Sequence, residues 1–157
     1  MRQEVNWRFF RDAAITRLQD AEELVHMPSL RPNEHGASTR HADGAKYLAG
    51  YGIECIFKAY LLTKNNCSTR TALKERLSRQ GKQPLDIFGR DGHNLSHLYI
   101  LTDLEQKLPP TLVKEIGKCF KWRSTWRYND RTAEKIDPVE FVNSVRTIVN
   151  YVVSLVP

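Results

Sequence analysis

The run "AKYLAGYGIECIFKAYLLTK", Ala45 to Lys64, constrains this chain more than any other segment. It is apolar on nearly every face and too long for a strand, so it predicts a helix buried at the centre of a domain. Two of its charged residues, Glu54 and Lys58, sit among apolar neighbours. A chain of 157 residues with 41% hydrophobic content can surround such a helix with one core, and is too short for two.

The flanking segments supply the partners that this helix needs. Val5, Phe9, Ala13, Leu18, Ala21 and Val25 recur at helical spacing and predict an amphipathic helix stopped near Met27 by Pro28. Residues 28–43, rich in proline, glycine and small polar side chains, predict a mobile loop. Ser68 to Gly81 reads as a short capped helix stopped by Gly81, and residues 82–92 are turn-rich. Residues 93–108 place Leu95, Leu98, Leu101 or Thr102, and Leu108 on one helical stripe, closed by Pro109 and Pro110. Residues 111–128 predict the next helix and residues 137–156 the last. In the latter, Asp137 suits the N-cap, Pro138 the first helical position and Glu140 a capping box. Its Val142, Val145, Val149, Val152 and Val156 keep helical spacing. With no convincing strand and no repeat, the expected fold is all-α: one domain over residues 1–157, an up-and-down antiparallel bundle of four long helices plus a short extra helix.

The formal net charge of +6 leans towards an anionic partner, although the cations are spread along the whole chain. Cys55, Cys67 and Cys119 are odd in number and far apart, which fits a reduced, cytoplasmic protein better than a disulfide framework. Neither they nor His26, His35 and His41 have metal-ligand spacing, and no cofactor is expected. The chain shows no signal-like leader and no apolar run of bilayer length, so no membrane contact is expected.

The densest chemistry lies in "KWRSTWRYNDR", Lys121 to Arg131. At about 100° per residue, a continuous helix puts Val113, Ile116 and Phe120 on one side. Arg123, Arg127 and Arg131 continue that side, with Trp122 and Trp126 on a flank. Arginines in line with a core stripe need an anion: Glu54 within the protein, or a phosphate, which the planar guanidinium grips through two parallel hydrogen bonds. Plainer readings stand beside these. Glu54 and Lys58 suit an intrahelical ion pair worth about 0.2–0.5 kcal/mol. Asn94 suits a helix cap, and the tryptophans suit a core or a dimer seam.

The order of these features resembles the HEPN family, the higher-eukaryote and prokaryote nucleotide-binding domain. The resemblance rests on Glu54 to Lys58 in the central helix, on His93, Asn94 and Leu95 at the start of the third core helix, and on Arg127 and Tyr128 near the end of the fourth. It implies an up-and-down bundle that forms homodimers, and members that bind RNA or nucleotides, cleave RNA, or pair with a nucleotidyltransferase in toxin–antitoxin modules. The RNases of the family carry an arginine followed four to six residues later by a histidine. The arginine holds the scissile phosphate, and the histidine moves a proton during attack by the RNA 2′-hydroxyl. Here no histidine follows His97. The expectation is therefore a non-catalytic binding module for RNA, a nucleotide or a partner protein, engaged through Arg123, Arg127, Tyr128, Glu54, Lys58 and Asn94. The alternative is a metal-independent ribonuclease in which Arg127 binds phosphate and His93 or His97 serves as acid or base.

Overall fold

The computed structural model describes residues 6–27, 39–83, 86–128 and 135–157, and the side chains of residues 39, 40, 90, 91, 127 and 128 are not among them. Every regular element among the described residues is helical. The α-helices are α1 (Trp7–His26), α2 (Thr39–Lys64), α3 (Arg70–Arg79), α4 (Leu95–Thr102), α5 (Pro110–Cys119) and α6 (Pro138–Val153). Short 3₁₀ turns cover Arg90–His93, Leu104–Gln106 and Ser124–Tyr128. No helix among the described residues is long and apolar enough to cross a membrane.

The central helix is the one expected. α2 is buried without interruption from Gly52 to Leu62 and packs against α1, α4, α6 and two of the 3₁₀ turns. It begins at Thr39, inside the segment expected to be a loop, and the rest of that segment, residues 28–38, lies outside the described residues. α1 buries Ala14, Leu18 and Ala21. Phe9, expected on the buried stripe, is 69% exposed, because the inward face is carried by Phe10 and Ala14 and not by Phe9.

Local signals set several helix ends. Thr69 accepts a hydrogen bond from Ala72 N at the start of α3, Asn94 from His97 N at the start of α4, and Asp137 from Glu140 N at the start of α6. The capping box at α6 is only half made, since the Glu140 carboxylate pairs with Lys118 of α5.

Two long helices expected from the sequence are broken. The first stops at Thr102, where Asp103 takes a left-handed conformation at φ 54°. Its carboxylate receives Lys64 Nζ and Lys82 Nζ at 2.6 and 2.5 Å. The same ammonium groups donate to Thr102 O and Leu101 O, so two lysines cap the carbonyl end of α4. The second break is at Cys119, and it reverses the expected facing of Arg123 and the two tryptophans. Trp122 and Trp126 are each 1% exposed, whereas Arg123 is exposed. Once α5 ends, the chain need not keep arginine on the core side, and the large aromatics take that side instead.

Candidate functional site

Tyr47, Tyr51, Glu54 and Lys58 occupy steps of four, three and four residues along α2, which align them on one face. Glu54 is 2% exposed, and both of its oxygens are engaged. Lys58 Nζ donates to Oε1 at 2.5 Å, and His93 Nδ1 lies 2.8 Å from Oε2. Lys58 is buried as well, with its ammonium 5.8 Å from the centre of the Phe88 ring. The backbone closes over it at Gly92, where a Cβ would lie 2.9 Å from Lys58 Nζ and 2.3 Å from Ile87 O. Glycine at that position lets the turn bring His93 down onto Glu54.

Of the readings open for Glu54, the intrahelical pair with Lys58 is the one made. The anion inside the protein is matched by Lys58 and His93, which use both carboxylate oxygens, so no arginine is needed to neutralise it. A buried carboxylate without such partners would be strongly destabilising. Its field reaches the neighbouring thiol: burial first, and then Glu54, push Cys55 up to about 12. Tyr51 is raised above its ordinary value by its own burial, with smaller contributions from Cys55 and Glu54.

The imidazole is oriented by this contact. A carboxylate only accepts hydrogen bonds, so Nδ1 carries a proton, and Nε2 is a free acceptor when the ring is neutral and an N–H donor when it is protonated. The His93 side chain is 46% exposed, and Nε2 makes no hydrogen bond among the described residues. A partly exposed imidazole anchored on a buried carboxylate can accept a proton at Nε2, or when protonated donate to an anion.

Trp122 joins the cluster to the basic segment. Its ring lies 6.4 Å from His93 and 6.3 Å from Tyr47 between centroids. It seats on α2 at Gly50, where a Cβ would lie 2.1 Å from Trp122 Cδ1. Its indole N–H is buried and has no hydrogen-bond partner among the described residues. Trp126 packs against Phe141 of α6, with Lys46 of α2 at 5.9 Å from its ring. The two tryptophans thus pin the segment that carries the arginines to α2.

The remaining candidates divide. Arg123 donates through Nη1 to Phe120 O and Trp122 O, so it caps the end of α5 while staying exposed beside Trp122. Arg127 and Tyr128 end the 3₁₀ turn by their backbone, but their side chains lie outside the described residues, as does the whole of Arg131. Asn94 Oδ1 accepts from Ser96 Oγ and His97 N, a capping role. His97 is half-buried on α4, its Nε2 has no hydrogen-bond partner among the described residues, and it does not join Glu54. The structure therefore gathers Glu54, Lys58, His93 and Trp122. The sequence reading had not singled out Tyr47, Tyr51 or Gly50, although the helical spacing shared by Tyr47, Tyr51, Glu54 and Lys58 was a signal that could have drawn attention to the tyrosines. Compared with known proteins, the chain is matched by no family model, no curated protein and no solved structure.

Proposed function

We propose that the chain is a HEPN-like binding module for RNA or a nucleotide, holding a phosphate at His93 beside the Arg123–Tyr128 segment. The observation that carries this reading is the His93 imidazole, anchored through Nδ1 on buried Glu54, so that the protonated ring has its Nε2–H left to donate to a phosphate. Exposed Lys121 and Arg123 near Trp122 supply further positive charge for a phosphate backbone. An up-and-down arrangement of the helices, homodimerisation and a nucleotidyltransferase partner belong to the same proposal and come from the HEPN likeness, and a cytoplasmic setting comes from the three scattered cysteines.

The same histidine favours a second reading, the metal-independent ribonuclease. An imidazole held in the Nδ1–H tautomer by a carboxylate is suited to take the proton of a 2′-hydroxyl at Nε2. In this reading His93 moves the proton that a histidine after Arg127 would move in the family pattern, and Arg127 holds the phosphate.

The test incubates labelled single-stranded RNA and tRNA with the protein and its His93→Ala and Arg127→Ala variants in chelator, following both retained complex and products. A binding module leaves the RNA whole, and each variant with retained fold weakens the complex by about tenfold or more, as expected for a lost charged hydrogen bond. Cleavage abolished by His93→Ala, and by a 2′-deoxy residue at the cut site, selects the ribonuclease. Intact RNA with no complex at micromolar protein sinks both readings.

A further inference from the structure

The α2 stripe continues beyond the Glu54 cluster into aromatic surface. Tyr47 and Tyr51 are both half-buried. Their rings are parallel to within 2°, with centroids 6.4 Å apart. At that separation they are displaced from each other rather than face to face, so neither ring fully covers the other. Tyr47 stacks at 26° on Trp122, which also meets the edge of His93. At the other end, the Arg17 guanidinium lies 6.0 Å from the Tyr51 ring and is held by Asp20 at 3.2 Å. One continuous row therefore runs from a cation, across two part-exposed tyrosines and a buried tryptophan, to an oriented imidazole.

We propose that this row is a stacking step for an unpaired nucleobase, seated on Tyr47 and Tyr51 while the adjoining phosphate meets His93. The proposal rests on the RNA or nucleotide reading above and deepens it by assigning the base as well as the phosphate. Aromatic faces suit any base because every base has a π-face, and the contact carries no sequence preference. A base-paired duplex keeps its bases stacked and covered, so the step selects single-stranded or free nucleotides. The buried Trp122 makes the step rigid, since Tyr47 is backed by an indole that is itself locked against Gly50.

The test measures fluorescence anisotropy of a labelled RNA heptamer of mixed A and U, and of an abasic ribose-phosphate chain of equal length, with wild type and the Tyr51→Leu, Tyr51→Phe and His93→Ala variants. Leucine keeps apolar bulk and removes the π-face, which limits any effect on folding, and thermal unfolding of each variant checks this. Tyr51→Leu is expected to weaken the heptamer by about 5- to 150-fold, the range for one stacked base, and to leave the abasic chain unchanged. Tyr51→Phe should stay within about twofold of wild type, since the π-face is retained. His93→Ala should weaken both chains alike. Displacement of the heptamer by adenosine monophosphate supports the step with a free nucleotide as its occupant, and resistance to it supports the step with a strand. If Tyr51→Leu binds the heptamer as tightly as wild type, or the abasic chain binds as tightly as the heptamer, the stacking step is overturned while phosphate binding stands. If wild type binds neither chain, the stacking step and the RNA or nucleotide reading fall together.

Discussion

Removing one member of the Glu54–Lys58 pair should be far more damaging than removing both. Glu54 is 2% and Lys58 5% exposed, so either charge left alone is uncompensated in the core, apart from the one contact that His93 makes to Glu54. Stranding one member of a buried ion pair costs about 3–5 kcal/mol, whereas replacing both by apolar residues of similar volume is neutral or stabilising by about 1–4 kcal/mol. Lys58→Met and Glu54→Leu should therefore each lower stability by about 3–5 kcal/mol, and the double variant should lie within about 1 kcal/mol of wild type or above it. With a urea dependence of about 2 kcal/mol/M, each single change moves the unfolding midpoint down by about 1.5–2.5 M, and the double change by less than about 0.5 M. Independent residues would make the double variant lose about 6–10 kcal/mol, enough to unfold many domains. Urea titration followed by circular dichroism separates these outcomes. Single variants that unfold within about 0.5 M of wild type would show that water reaches the pair, and a double variant as unstable as the sum of the singles would show no coupling; either refutes the reasoning.

Gly50→Ala should push the indole off α2, because the added Cβ falls 2.1–2.4 Å from three Trp122 ring atoms and Trp122 has no exposed side to yield towards. Overpacking of this kind costs about 1–3 kcal/mol, or about 2–12 °C in Tm for a chain of this size; an unchanged Tm and tryptophan emission would contradict the contact. Acid should weaken the fold through Asp103 and Glu115. Partial burial raises the Asp103 carboxyl, but hydrogen bonds from Lys64 and Lys82 outweigh it and hold it below its ordinary value. Hydrogen bonds from Ser144 and Lys118 lower Glu115. Both folded values lie below the unfolded ones, about 3.9 for Asp and 4.3 for Glu, so their stabilisation is complete above about pH 5 and is lost as pH falls through the depressed folded values. Asp103→Asn keeps a residue tolerant of the left-handed turn, so it should flatten the fall in urea midpoint between about pH 5 and 2; an unaltered slope would remove Asp103 from this role.

Much of the helical content is local and was legible. Asp137, Asn94 and Thr69 cap helices through hydrogen bonds that span three residues, and any chain carrying those residues at those places can make them. The apolar run of α2 needed no partner to be recognised, since its length and all-round hydrophobicity already demanded burial. The i, i+4 relation of Glu54 and Lys58 was likewise a matter of spacing.

What the tertiary structure alone decided involves contacts distant in sequence. Helical periodicity carried Arg123 onto the core side, but Trp122 finds its seat at Gly50, seventy-two residues earlier, and the helix ends before it. α4 stops where Lys64 and Lys82 converge on Asp103, separations of 39 and 21 residues. His93 was named from sequence as one of two histidines able to serve the site, and only folding chose it over His97 by setting its Nδ1 on a carboxylate 39 residues away. Spacing along a helix determines which side chains share a face. Which face is buried, and what meets it, depends on the free energy of packing the whole core.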